Sequence, residues 1–138
     1  KISKTEYLNK YWKPYLKIIK TCNSSEECGY TKEFPWINAG NTTVVDRGVG
    51  ESTVILSTGI LLMVGTTNIY LDLNAAAGPN RFGHDLFRFE ITKTGIKPVA
   101  YRKNSIYCSK TETRQNNGEW CSGKIFYDGW KISDDYPW

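Results

Sequence analysis

The chain is predicted to fold as one α+β domain, an amphipathic N-terminal helix laid on an antiparallel sheet of about four to five strands. Three observations lead there. Residues 4–21 repeat apolar side chains at helical spacing, and residues 53–101 break into short β-branched or aromatic runs separated by Gly and Asn turns. Within residues 86–91, Leu86, Arg88 and Glu90 alternate with Phe87, Phe89 and Ile91, as in a strand covered on one face. With 138 residues, 40% of them apolar and 14% aromatic, the chain has material for one real core, and no repeat or linker divides it.

In the predicted helix over residues 4–21, Leu8, Tyr11, Trp12, Tyr15, Leu16 and Ile19 share a face and leave most lysines on the other. Pro14 cannot donate to the Lys10 carbonyl, so a kink is expected there, and no cap is read at the start of the pattern. Much of the net charge of +4 gathers in this region, where Lys1, Lys4, Lys10, Lys13, Lys17 and Lys20 are opposed by Glu6. Residues 22–52 lack a period and read as a long irregular excursion around Phe34-Pro35-Trp36-Ile37. Strands are expected at residues 53–57, 60–64, 69–73, 86–92 and 96–101, with turns at Thr58-Gly59, Gly65–Asn68 and Thr94-Gly95. The aromatic tail, residues 123–138, turns at Asp128-Gly129 and is expected to dock, because so many rings in water would be costly. The domain thus divides into a helix (1–21), an excursion (22–52), a sheet (53–102) and a C-terminal region (103–138).

Cys22, Cys28, Cys108 and Cys121 form two local pairs. Three connectivities exist, and the short-range one, 22–28 with 108–121, is favoured; it implies an oxidising compartment. Zinc is the competing reading, but the spacings are not those of a Cys-x2-Cys knuckle and His84, the one histidine, is remote. No apolar run is long enough to span a bilayer, residues 59–65 being far too short, and a chain opening on Lys1 is expected to lack a leading segment.

Taken together, the lysine-rich helix with its internal Pro14, the excursion with a disulfide, the antiparallel sheet and the cysteine-bounded aromatic end resemble the globular part of a type IV pilin or pseudopilin without its membrane-embedded half-helix. More specifically, LDLNAAAGPNRFGHDLFRFEI (71–91) resembles the Asp-x-Asn…Gly-Pro-Asn…Gly-x-Asp-x-Phe segment of prepilin-type proteins, and IFYDGWKISDDYPW resembles their ending. The resemblance implies a pilin-like roll and a mechanical function. Such a domain forms the exterior of a type IV pilus or type II secretion-like filament, joined to other copies or other pilins through N-terminal helices. Before processing by a prepilin peptidase and assembly, that helix would sit in the inner membrane. The place implied is the bacterial surface or periplasm, with no enzyme activity and no required cofactor.

Three readings compete for the 72–85 loop. Asp72 and Asp85 as an acid–base pair would need a cleft, and no nucleophile motif accompanies them. Asp72, Asn74 and Asp85 offer hard oxygen ligands suited to Ca2+, against which stand Ala75-Ala76-Ala77, Arg81 and His84. The favoured reading is structural. Asp72, Asn74, Asn80 and Asp85 can satisfy loop N–H groups, while Gly78, Gly83 and Pro79 set the turns.

Elsewhere, the lysine face with Trp12 and Tyr15 offers a DNA contact, although a solvated face is the commoner meaning of such a run. Its lysines could also meet Asp134 and Asp135 of a neighbouring subunit. Trp36 and Trp120 are candidate glycan platforms of an adhesin, with packing the favoured alternative.

Overall fold

Ser3 starts the first helix. Its hydroxyl accepts from the Glu6 N–H at 3.1 Å while the Glu6 carboxylate accepts from the Ser3 N–H at 2.7 Å, a reciprocal capping box. The computed structural model, which describes residues 2–45, 52–100 and 107–138, thereby corrects both the uncapped start and the extent of the predicted 4–21 helix. Helix α1 (Lys4–Tyr11) ends ahead of Pro14, one 3-10 turn (Lys13–Tyr15) follows, and strand β1 (Ile18–Cys22) takes over. Pro14 stops the helix instead of kinking it. It lacks the N–H the next turn needs but suits the first turn of a new one. Ile18, Ile19 and Thr21 are β-branched and fit an extended chain better.

Five further strands follow: β2 (Thr53–Leu56), β3 (Leu61–Val64), β4 (Asn68–Asp72), β5 (Leu86–Thr92) and β6 (Gly95–Pro98). With β1 they make a six-stranded antiparallel meander in chain order, one strand beyond the expected four to five. The predicted strands fall close to these positions. Lys1, residues 46–51 of the excursion and the predicted strand end at Tyr101 lie outside the described residues.

Register explains the layers. Val54 pairs with Leu62 and Leu62 with Leu71, while Val64 pairs with Ile69 and Ile69 with Phe89, so these side chains share one face. Leu8 of α1 is buried there, flanked by Trp12 and Leu16. The opposite face, which a one-sided sheet would leave wet, is covered as well. Ile55, Leu61, Met63, Tyr70 and Leu86 meet Tyr30, Trp36, Ala39 and Val45 of the segment after β1, with Phe82 among them. The polar positions of β5 misled the sequence reading here. Arg88 faces inward to Glu119, its Nη1 lying 3.2 Å from Glu119 Oε2.

Helix α2 (Cys121–Tyr127), absent from the sequence expectation, lies against β5 and β6. Ser122 Oγ anchors it by donating to the Arg88 carbonyl at 2.6 Å. The end of the tail docks as expected, with Tyr136 donating its hydroxyl proton to the Gly83 carbonyl and the Trp138 ring 4.8 Å from His84, but Phe126, Tyr127, Trp130 and Ile132 stay more than half exposed. Both disulfides are the short-range ones, Cys22–Cys28 and Cys108–Cys121, which leaves no thiolate for zinc.

Gly118 marks the tightest approach between layers. Its φ is +101°, and a Cβ there would sit 2.7 Å from Ala39 Cβ and closer still to Phe82 Cβ. Gly118→Ala combines left-handed strain with overpacking and is expected to cost about 3 kcal/mol, read as a lowered urea midpoint with an unchanged slope.

Candidate functional site

Asp72 closes β4, where its Cα pairs with Leu61 and with Leu86. This register sends its carboxylate into the Tyr30 layer, and the residue has 0% exposure. Oδ2 accepts from the Tyr30 hydroxyl at 2.8 Å, and Oδ1 accepts a longer 3.3 Å bond from the Asn74 N–H. A 3-10 turn (Ala75–Ala77) and a cis Gly78–Pro79 peptide then bring the chain back to Asn80. Asn80 is buried in the left-handed region, φ 56°, which an Asn tolerates.

Asp85 locks the return. Its Oδ2 accepts from the Asn80 N–H at 2.9 Å and its Oδ1 from the Arg81 N–H at 2.8 Å, so one side chain satisfies two consecutive amides. Asn80 links the two aspartates. With its amide nitrogen facing the acceptors, it donates to Asp72 Oδ2 at 3.2 Å and to the Ala75 carbonyl at 3.0 Å. Of the predicted residues, Asp72, Asn80 and Asp85 therefore converge. Asn74 does not join them: it is exposed and donates outward to the Gly78 carbonyl at 2.6 Å. Gly78 and Gly83 both take the predicted positive φ, 91° and 81°. At Gly83 the reason is also steric, since a Cβ would lie 2.8 Å from Cys121 Sγ.

The loop is stitched to the excursion. The Ile37 N–H donates to the Asn80 carbonyl at 2.9 Å, the Phe82 N–H to the Ile37 carbonyl at 3.1 Å, and Arg81 Nη2 to the Ala39 carbonyl at 2.6 Å. Asn38 and Asn117 do similar work nearby. Asn38 Oδ1 accepts from the Thr42 and Thr43 N–H groups while its Nδ2 donates to the Thr113 and Arg114 carbonyls. Asn117 Nδ2 donates to the Ser109 and Glu112 carbonyls, holding the loop that the second disulfide closes. Tyr30, Asn38 and Asn117 escaped the sequence reading. Asn and Tyr are common at surfaces, and a partner 42 residues away leaves no local spacing signal.

Burial sets the electrostatics. It raises the Asp72 carboxyl to about 7, with a smaller push from Asp85, while the Tyr30 hydrogen bond opposes the rise. Burial and the Asp72 charge push the Tyr30 phenol far up, so it remains a donor. Burial, then Arg81, holds the His84 imidazole below its ordinary value.

Chemically, the carboxylates act on the fold itself. Asp72 has no surface to meet a substrate. Among the described residues no three His, Cys, Asp or Glu side chains gather as metal ligands. Trp36, a candidate sugar platform, is core at 2% exposure, and Trp120 lies tilted against Tyr107, ring centroids 4.4 Å apart. Among the described residues no helix is long and apolar enough to cross a membrane. Compared with family models, curated proteins and solved structures, the chain matches none.

Asp85→Ala leaves two buried amides unpaired and is expected to cost about 3 kcal/mol. Adding calcium should leave the wild-type unfolding midpoint unchanged, because the loop is complete without it; both are read by thermal and urea denaturation.

Asp72 also sets a pH dependence. Its folded pKa of about 7 exceeds the ordinary 3.8, so its contribution to stability is fully present below that ordinary value and lost as pH rises through 7. Between mildly acidic and mildly alkaline pH, wild type should lose about 2 kcal/mol more stability than Asp72→Asn.

Proposed function

We propose that this chain is a structural subunit of a type IV pilus or type II secretion-like filament, with the present domain on the filament exterior. The observation that carries the reading is the 72–85 loop. The segment that most resembles prepilin-type proteins turns its buried carboxylates inward onto loop amides and Tyr30, and so holds a fixed shape. A filament repeats one contact many times and needs such invariant surfaces. The order of parts also suits a pilin-like roll: a helix across one sheet face, an irregular disulfide-bonded segment, an antiparallel meander and a cysteine-bounded end.

On this reading the protein is not an enzyme and requires no cofactor, and its partners are further copies or other pilins. The two disulfides suit an oxidising periplasm or cell surface. The extended backbone at Ser3, φ −70° and ψ 164°, would make a break between α1 and any helix that precedes it in the membrane.

A minor subunit that binds glycan is the second reading, and one observation favours it. Phe126 and Trp130, both more than half exposed, stand edge-to-face at 5.2 Å beside a groove lined by Ile96, Pro98 and Val99.

Immunogold labelling of the native organism with antibodies to this domain separates these outcomes. Regularly labelled surface or sheared filaments, absent when the gene is deleted, are expected. Label confined to non-filamentous protein would overturn the proposal, and a glycan-array signal from the isolated domain would favour the second reading.

A further inference from the structure

Where α1 passes into β1, Lys10, Lys13 and Lys17 are all exposed, and none makes an ion pair among the described residues. Exposed apolar groups interleave with them: Tyr11 at 49%, Tyr15 at 82% and Ile19 at 66%. Tyr7, Tyr11, Trp12, Tyr15 and Leu16 line an open groove of about 410 Å³ along the same stretch of chain. Trp12 and Leu16 also pack on the core around Leu8, so the surface is preformed and little order is lost on docking. Glu6, the carboxylate of α1, is held by Ser3.

Exposed lysines without an ion pair among the described residues call for an anionic partner, and the remaining side chains say which kind. The stretch contains no arginine, the residue suited to bidentate phosphate contact and to stacking on bases. The Tyr11 ring is already engaged, with Lys10 Nζ 5.3 Å from its centroid and Tyr7 at 5.5 Å. Exposed Ile19 has no use against a phosphodiester strand. Tyrosine and tryptophan beside lysine, with an aliphatic tip, are instead the chemistry of the membrane–water interface, where rings settle at headgroup depth and ammonium groups meet lipid phosphates.

We propose that the face carrying Lys10, Lys13 and Lys17 is a docking surface for an anionic lipid bilayer. The inference stands apart from the filament reading and needs only the surface described.

Co-sedimentation with phosphatidylcholine vesicles, with and without phosphatidylglycerol, tests it on the present chain. Binding is expected only with phosphatidylglycerol. The double variant Lys13→Gln/Lys17→Gln should weaken it roughly twenty-five-fold, at about fivefold per lysine. Tyr15→Ala/Ile19→Ser should lose the binding that survives in high salt, where charge attraction is screened. Lys93→Gln/Lys97→Gln, at the far edge of the sheet, should bind as wild type. All four positions on the face are exposed, so melting temperatures serve as the folding control. No sedimentation, equal binding to pure phosphatidylcholine, equal loss in the Lys93/Lys97 variant, or displacement of the vesicles by a single-stranded oligonucleotide would each overturn the proposal.

Discussion

One carboxylate closing on two amides organises the second half of this fold. Asp85 accepts from the Asn80 and Arg81 N–H groups and so reverses the chain between β4 and β5 without a conventional hairpin. The reversal aims Phe82, 0% exposed, into the layer of Tyr30, Trp36 and Tyr70. It also presents Ile37 with a backbone partner on either side of Arg81 and brings Gly83 against the Cys108–Cys121 bridge. Excursion, disulfide, tail and sheet therefore meet at one loop. A short Asx side chain can do this because it competes for backbone donors at close range, and burial strengthens each bond it makes.

Pro14 exerts the second constraint. By ending the helix it releases Ile18–Cys22 to become an edge strand, and it leaves Tyr15 and Ile19 in water beside exposed lysines. The same residue thus adds a strand to the sheet and creates the exposed basic face. At the opposite end, Lys124 is buried but compensated: its Nζ lies 2.7 Å from Asp128 Oδ2 and 2.9 Å from Asp135 Oδ1. That clamp fixes the turn from which Trp130 projects, held at φ 61°. Both ends of the sheet consequently carry rigidly mounted aromatic surfaces.

Legibility in the sequence followed the range of the interaction. Alternation and turn chemistry located β2 to β6 because the signal lies within a few residues, and local cysteine pairs located both disulfides. The 72–85 loop was legible for the same reason, since Asp85 reaches back only to Asn80 and Arg81. The helix was overextended because apolar period alone cannot distinguish one long helix from a helix, a turn and a strand. The contrary signals were present in Ser3 and Glu6, in Pro14, and in the β-branched run after it. Tyr30, Asn38 and Asn117 were not legible, because their partners are brought to them by tertiary packing.

The central claim is that the Asp72–Asn80–Asp85 network makes this loop part of the rigid core in its own right. Amide hydrogen exchange at Asn80, Arg81 and Phe82, compared with amides of β3 and β4 in the presence of chelator and of calcium, tests it most directly. Exchange in the loop is expected to be as slow as in those strands under both conditions. Fast exchange in chelator that slows only when calcium is added would contradict it.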